Sequence, residues 1–562
     1  MTTTTSSPAT VADILDREVF QYRLSAITDE MSNAIRRAAF SPIIWDMLDY
    51  SCALLSPQGE LISQADTIPS LLGILSSAFR GITAEVPLAT WEPGDVVVCN
   101  DPYRGCTHTP DLVLMSPVYH DGAIVAVAAA VAHHVDIGGK LPSTTAPDNV
   151  EVFAEGLQFP PMKLVERGRR NETAFRFIEG NVRNPKACIG DLGAQLAGCR
   201  TGEKRIVELV EHYGTARFAE LVDAALAYGE RYTRALLEAL PHTSASAETF
   251  IEDDVTTSEP IRLAVKVTID ADGVELDFTG TDAQRRNALN CPLASTWSMA
   301  LYAVRCMTGG GGGPSNGGRN RPVRMIVPKG SFLNPNRPAA VGNRHYAQQG
   351  VADLVLKALA QIAPERSAAG CHISYPTMRV GGFDTRAQAR RPDGESRYFI
   401  MHDILGGGLG AHQDGDGRQA VDSHASNCAV LSAEVIEANG AVRVRRSELI
   451  PGSGGEGAHR GGLGIRRDYE LLADDLFVSV FYQQGNDKTA PWGAGGGGAG
   501  RPARAILNPG GDASRTLTSK EIAIPLKKGD IVRLESAGGG GFGDAKARPD
   551  ALIERDRKHG YV

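Results

Sequence analysis

The sequence predicts a mixed α/β (α+β) fold with several domains, and three observations lead to this prediction. The 562 residues are more than one hydrophobic core organises, at about 150 residues per domain. Helical and strand patterns are both present, and strand patterns dominate after about residue 430. The 63 glycines come in blocks without a fixed period, which indicates long glycine-rich loops and excludes a collagen-like chain.

The first part of the chain predicts helices and buried strands. Apolar residues at near-helical spacing favour a long helix over 11–40, which should end before Pro42. Two strands, Tyr50–Leu55 and Leu61–Gln64, flank a Pro-Gln-Gly turn. A second helix is expected over 70–86.

Three further strands are expected at Val96–Cys99, Leu112–Tyr119 and Ala123–His133. The last two are continuously apolar, which is typical of strands buried on both faces of a sheet. Residues 183–240 then read as largely helical.

The pattern of apolar and polar residues changes near residue 250, in the middle of the chain. Residues 261–269 alternate between apolar and polar types, which predicts a half-exposed strand, and a helix is expected over Val351–Ile362. Strands and turns should follow residue 430. We therefore predict three domains, which are an N-terminal α/β domain with the helices and buried strands (1–245), a central α/β domain (246–430) and a β-rich domain with glycine-rich loops (431–562).

The bulk composition excludes several classes of partner. Lysine and arginine number 58 against 66 acidic residues, a net charge of −8, so no nucleic acid partner is expected. The longest apolar run, Ala123–Ala132, is about half of a membrane span. Met1–Thr10 lacks the features of a secretory signal. Nine cysteines without a CxxC pair indicate free thiols and a cytoplasmic protein.

One polar segment carries the strongest candidates for catalytic or metal-binding residues. His108 and Asp111 stand three apart just before an apolar strand, and His133, His134 and Asp136 follow the end of the next strand. A hairpin of these two strands would bring the two groups together. Imidazole and carboxylate ligands suit Zn, Mn or Fe. The alternative is a chance HxxD pair with one core histidine and one exposed histidine.

Several motifs follow one another in order from about residue 40 to the C-terminus. Besides the HxxD loop they read FSPIIWDMLDYSCALLSPQGELISQADTIP, AHHVDIGG, RNPKACIGDLGAQLAG, DFTGTDAQRRNALNCP, PGSGGEGAHRGGLGIRRDYEL and SAGGGGFGDAKARPD. Together they resemble the hydantoinase B/oxoprolinase family over nearly the whole chain.

The resemblance implies a divalent metal, Zn, Mn or Fe, and names its ligands. Position by position these are Asp49, His108, Asp111 and His133, and Asp49 matches the motif better than Asp46. The resemblance also implies that His134 and Asp136 lie beside the metal, where they would orient the ligands or act as the general base. The alternative for both residues is a structural role as buried polar side chains.

The function that the resemblance implies is the B subunit of an ATP-dependent cyclic amide hydrolase of the hydantoinase, 5-oxoprolinase or lactamase type. A hydantoinase A-type ATPase subunit would phosphorylate the carbonyl, and water activated by the metal would then attack it. ATP should not bind this chain, because Gly309–Gly313 lacks the GxxxxGK[ST] pattern.

Two alternatives stand beside this hydrolase. The first is a subunit of an ATP-dependent ketone carboxylase of the acetone or acetophenone type, although the chain is shorter than expected for its large subunit. The second is a non-catalytic scaffold subunit, against which the complete set of four ligands argues.

The chain also departs from the family pattern at two places, one of them Asp487-Lys488 before residues 490–493, where many members have an Asp-Arg pair and a PPxG turn. Many members read GGN-x-E-x-S-Q-R where this chain has VGNRHYAQQ (Val341–Gln349), without the acidic residue and the arginine. These departures argue against hydantoin and 5-oxoproline as the substrates. The glycine blocks over 309–318, 406–417, 452–464 and 493–543 are expected to form substrate-channel or interface loops.

Overall fold

The computed structural model describes residues 11–309, 312–390 and 393–562, with side chains from residue 15 onwards. Met1–Thr10, for which the sequence predicts no secretory signal, lies outside the described residues, as do two residues of the glycine run at 309–313. The described helices are α1 Val11–Ala38, α2 Pro42–Trp45, α3 Ile74–Glu85, α4 Glu172–Glu179, α5 Pro185–Tyr213, α6 Thr215–Glu238, α7 Leu293–Met307, α8 His345–Ile362, α9 Ala433–Asn439 and α10 Asp550–His559.

The strands of the described residues form four sheets. In chain order they are β1 Tyr50–Leu55, β2 Leu61–Gln64, β3 Val96–Cys99, β4 Asp111–His120, β5 Ala123–His133, β6 Met162–Glu166, β7 Arg169–Arg170, β8 Ser244–Ile251, β9 Ile261–Asp270, β10 Gly273–Asp277, β11 Val323–Ile326, β12 Thr377–Asp384, β13 Arg397–Ile404, β14 Val442–Leu449, β15 Ile465–Leu471, β16 Leu476–Phe481, β17 Arg504–Leu507, β18 Arg515–Leu517, β19 Lys520–Leu526 and β20 Ile531–Glu535. The sheet orders are β2-β1-β5-β4-β3-β6-β7, β11-β10-β9-β8, β13-β12-β16-β19 and β14-β15-β20-β17-β18. The mixed α/β fold class is confirmed.

The seven-stranded sheet, called the N-terminal sheet below, is covered on both faces. Helices α1, α4, α5 and α6 pack on one face around a core that includes Met31, Leu114 and Ile206. The other face contributes Val113 and Val131 to a larger core that runs through the rest of the chain. The prediction that β4 and β5 are buried on both faces is therefore confirmed over most of their length.

The helices differ from the prediction in several places. Helix α3 begins at Ile74, because residues 69–71 form a 3₁₀ turn instead. Helix α8 begins six residues before the predicted Val351, at His345. The first turns of α8 carry polar residues that are nevertheless buried, so they gave no apolar periodicity. The region after residue 430, predicted as strand and turn, also contains α9 and α10.

The third sheet combines strands from both sides of residue 430. Strands β12 and β13 pair with each other, and β12 pairs with β16, which in turn pairs with β19. The boundary predicted near residue 430 thus falls between segments that share one sheet. The three-domain division stays a prediction.

Most glycines of the later blocks pack against one another. We call the segments 406–417, 452–464, 493–500 and 538–543 the glycine bundle. Its backbones exchange hydrogen bonds, such as Gly539 N–H to Gly462 O at 2.9 Å and Gly541 N–H to Gly498 O at 2.9 Å. A Cβ on Gly408 would lie 1.9 Å from Gly462 O. Glycine is therefore required there, because the backbone segments approach each other too closely for any side chain.

The described part of the chain contains no helix that is both long and apolar enough to span a bilayer. Its nine cysteines are all free, as the absence of a CxxC pair predicts.

Candidate metal centre

The ends of β4 and β5 bring the predicted ligands together. Asp111 is the first residue of β4 and His133 is the last residue of β5, and the antiparallel register places the two directly opposite each other. His108 precedes β4 in a turn that is closed by a hydrogen bond from Asp111 N–H to His108 O at 3.0 Å. A hairpin of two buried strands thus joins residues that are 22 and 25 positions apart.

Three potential ligand atoms converge at this point. Asp111 Oδ1 lies 3.1 Å from His108 Nε2 and 3.0 Å from His133 Nδ1, and the two nitrogens are 3.2 Å apart. All three side chains are buried. We call His108, Asp111 and His133 the His/Asp cluster. It is the one group of three or more metal-ligating side chains found so close together in the described residues.

The protonation states of the side chains in the cluster favour binding of a cation. His108 Nδ1 lies 2.8 Å from Gly342 O, and because a carbonyl only accepts, Nδ1 carries the proton and Nε2 presents its lone pair. Burial, assisted by Arg344, lowers the pKa of His108 to about 4, so the ring is neutral at pH 7. Burial alone would raise the pKa of Asp111, but the positive charge of Arg344, at 2.8 Å, helps to hold it well below its usual range.

The cluster fits a divalent metal ion. Ligand atoms around a tetrahedral ion with bonds of about 2.0–2.1 Å lie about 3.3–3.4 Å apart. The observed separations of 3.0–3.2 Å are close to this spacing. Two imidazoles and one carboxylate form a donor set that suits Zn, Mn or Fe.

Asp49 lies beside the cluster, but its carboxylate is not among the converging ligand atoms. It precedes β1, and its backbone carbonyl accepts a hydrogen bond from His133 N–H at 3.1 Å. It lines a cavity of about 40 Å³ together with His108 and His133. Burial raises the pKa of Asp49 to about 6, and nearby His133 opposes the shift.

The structure does not bring His134 and Asp136 to this cavity. His134 turns toward α5, where its Nε2 lies 3.0 Å from Gln195 Oε1 and its Nδ1 lies 3.5 Å from Cys188 Sγ. Asp136 is fully buried and accepts hydrogen bonds from Arg183, 2.8 Å from Nη1 and 2.9 Å from the backbone N–H. Both side chains hold the segment after β5 in place.

Other residues of the cavity were missed by the sequence interpretation. They come from the start of α8 and from β12 and β13, and they are Arg344, His345, Gln348, Arg379 and His402. The available signal was the polar run over 343–349, which stands out only as a departure from the family pattern. Strand β12 carries no motif that indicates a site. His402 stands at the start of the glycine-rich segment 401–427, whose acidic residues and histidines form no defined metal-ligand pattern.

Comparisons with known proteins show the family of the chain. The sequence model described as "Hydantoinase B/oxoprolinase" matches residues 13–545. A protein of Pseudomonas sp. strain NS671, which is named as the B subunit of a D-/L-hydantoinase, is 30% identical over 560 residues. The match covers 96% of this chain and 91% of that protein.

Two solved structures share the fold. The crystal structure of an ATP-dependent caprolactamase from Pseudomonas jessenii superposes with a TM-score of 0.90 at 27% identity, covering 98% of this chain and 95% of that chain. A nucleotide-free acetone carboxylase superposes with a TM-score of 0.87 at 19% identity, covering 98% of this chain and 78% of that chain. At that identity the second likeness concerns the fold alone.

Proposed function

The chain belongs to the hydantoinase B/oxoprolinase family, and from this premise we propose that it is the B subunit of an ATP-dependent cyclic amide hydrolase. The observation that carries the proposal is the His/Asp cluster, in which three buried ligand atoms converge within 3.2 Å. The relatives named as a D-/L-hydantoinase component and as a caprolactamase support the same class of substrate.

Four residues of this chain would hold the metal. His108, Asp111 and His133 provide the converging atoms, and Asp49 would complete the set from the same cavity. A divalent ion there would supply Lewis acidity and lower the pKa of a water ligand to about 7. Gly342 and Arg344 fix the orientation of His108 and Asp111, as hydrogen-bond partners of metal ligands do.

We assign His134 and Asp136 positioning roles. Neither side chain lines the cavity, and each has strong partners elsewhere, Gln195 for His134 and Arg183 for Asp136. Because both lie within three residues of the end of β5, they would act on the reaction through the placement of His133.

Ring amides react slowly with water because nitrogen donates electrons to the carbonyl. Phosphorylation of the carbonyl oxygen by a partner ATPase subunit of the hydantoinase A type would make the carbonyl carbon more reactive toward water. Water would then add to the activated carbon, the ring C–N bond would break with transfer of a proton to nitrogen, and an acyl phosphate would remain. A second water would hydrolyse it to the carboxylate and phosphate.

Reconstitution with the partner ATPase tests the proposal. The complex should open a lactam or hydantoin ring with ATP consumption, whereas this chain alone should hydrolyse no ATP. His108→Ala should abolish ring opening and leave phosphoryl transfer by the partner intact. ATP hydrolysis by the isolated chain, or ring opening by the variant, would contradict the proposal. ATP turnover that requires bicarbonate and a ketone would favour the carboxylase alternative instead.

A further inference from the structure

Arg379 on β12 is a buried cation without a carboxylate partner in the described part of the chain. Its side chain is 5% exposed, and its Nη1 donates to Thr145 O at 2.8 Å and to the Thr145 hydroxyl. Its Nε has no hydrogen-bond partner. Among the other buried arginines, Arg344, Arg460 and Arg467 each lie within 3.2 Å of a carboxylate. Arg319 has no carboxylate partner in the described residues either, but it does not line the cavity beside the His/Asp cluster.

A buried and uncompensated guanidinium is costly. Removing a charge from water is unfavourable unless an opposite charge and hydrogen bonds replace the solvent. Burial lowers the pKa of Arg379 to about 10, so the group still carries its charge at pH 7. The folded chain therefore retains a positive charge that its own carboxylates do not neutralise.

The neighbours of Arg379 also offer unused hydrogen-bonding atoms. His402 stands opposite Arg379 in the β12–β13 register, and its Nε2 has no partner. The Nε2 of His345 and both amide atoms of Gln348 are likewise buried without partners. All four side chains line the cavity of about 40 Å³ beside the His/Asp cluster. This volume has room for about three waters or one small oxyanion.

We propose that Arg379, with His345, Gln348 and His402, binds an oxyanion group of the substrate next to the His/Asp cluster. The planar guanidinium fork matches the oxygens of a carboxylate or a phosphoryl group. The inference rests on the proposed function and deepens it, because it gives the reacting molecule an anionic group. Anchored at Arg379, that group would fix the distance between the reacting carbon and the cluster.

Anion binding to the full chain tests the proposal without turnover. The probes are inorganic phosphate and acetate, titrated by calorimetry at constant ionic strength into protein that a chelator has freed of metal. The wild type should bind at least one of them saturably and melt at a higher temperature in its presence. Tighter binding of phosphate would indicate the phosphoryl group, and tighter binding of acetate would indicate a substrate carboxylate.

Four variants make the test specific. Arg379→Met keeps an unbranched apolar side chain but removes the guanidinium and its charge, and should weaken anion binding at least about tenfold. Arg379→Lys should retain part of the binding, because it keeps the charge. His345→Glu places a carboxylate in the cavity and should compete with the anion. The control Arg262→Met removes an exposed arginine that pairs with Glu248 and should bind as the wild type does.

Two outcomes would overturn the proposal. One is the absence of saturable binding of both anions to the wild type, and the other is equal binding by the wild type and Arg379→Met. Should Arg379→Met fail to fold, Arg379→Lys and His345→Glu carry the same comparison. Since the metal-free chain is used, failure of anion binding and failure of metal-dependent hydrolysis are separate results.

Discussion

His133 and His134 are neighbours in the chain, yet their imidazoles lie on opposite sides of the N-terminal sheet. His133 Nδ1 lies 3.0 Å from Asp111 Oδ1, whereas His134 Nε2 lies 3.0 Å from Gln195 Oε1 on α5. Successive side chains of a strand alternate between its faces. The two histidines therefore have different partners and different roles, although they are adjacent in the sequence.

His133→Ala should abolish metal binding with little loss of stability. The variant removes one of three converging ligand atoms, and we expect metal affinity to fall by more than about 100-fold, beyond the usual effect of losing a ligand's hydrogen-bond partner. Metal content and competition with a chromogenic chelator measure this loss.

His134→Ala should show the opposite result. It leaves the buried amide of Gln195 without one of its partners, so the free energy of unfolding should fall by about 1–3 kcal/mol. Metal content should stay near that of the wild type. Urea denaturation of both variants checks the contrast, and a metal-free His134→Ala protein of normal stability would refute it.

Asp136→Ala should destabilise the chain rather than remove the metal. Asp136 is buried and pairs with Arg183, which is 27% exposed, so we expect a loss of about 2 kcal/mol, less than for a fully buried pair. Glu248→Ala is the matched control, because it breaks an exposed pair with Arg262. The control should change the free energy of unfolding by less than about 1 kcal/mol.

The local part of the site was predictable from the sequence. The apolar runs of β4 and β5 predict a hairpin, and the hairpin predicts that His108 and Asp111 meet His133. Which face of β5 each histidine would occupy depends on the packing of α5. The sequence interpretation therefore grouped His134 and Asp136 with the metal.

The distant part of the site was not predictable. Arg379 and His402 lie more than 240 residues after the cluster, and nothing in the sequence of their strands links them to it. Their arrival at the cavity is decided by how the third sheet packs on the N-terminal sheet. Likewise, the glycine blocks predict irregular backbone, but only the packed structure shows that they contact one another.

Gly408→Ala should disrupt the glycine bundle. The added methyl would lie 1.9 Å from Gly462 O and 2.3 Å from Gly539 N, and backbone must move to admit it. We expect a loss of about 3 kcal/mol or more in the free energy of unfolding. Gly193→Ala, on α5 with open space around it, should instead stabilise by about 0.5–1 kcal/mol. Equal effects of the two substitutions in denaturation would argue against the packing role.

Asp416 should stabilise the chain in a pH-dependent way. Burial alone would raise its pKa, but hydrogen bonds from Arg548, at 2.8 and 2.9 Å, and other partners lower it. A lowered pKa in the folded state means that the contribution is present above about pH 4 and is lost as the pH falls below it. Asp416→Asn should cost about 1–3 kcal/mol at pH 7. The difference from the wild type in urea denaturation should shrink toward pH 3, and a constant difference would contradict this account.

The metal content of the purified chain tests the central claim most directly. Elemental analysis after dialysis against metal-free buffer should find about one tightly bound Zn, Mn or Fe ion per chain, as a buried site with three or four ligands predicts. The same measurement on His108→Ala should find almost none. Less than about a tenth of an equivalent in the wild type, with no uptake when these metals are added back, would contradict the assignment of the His/Asp cluster as a metal centre.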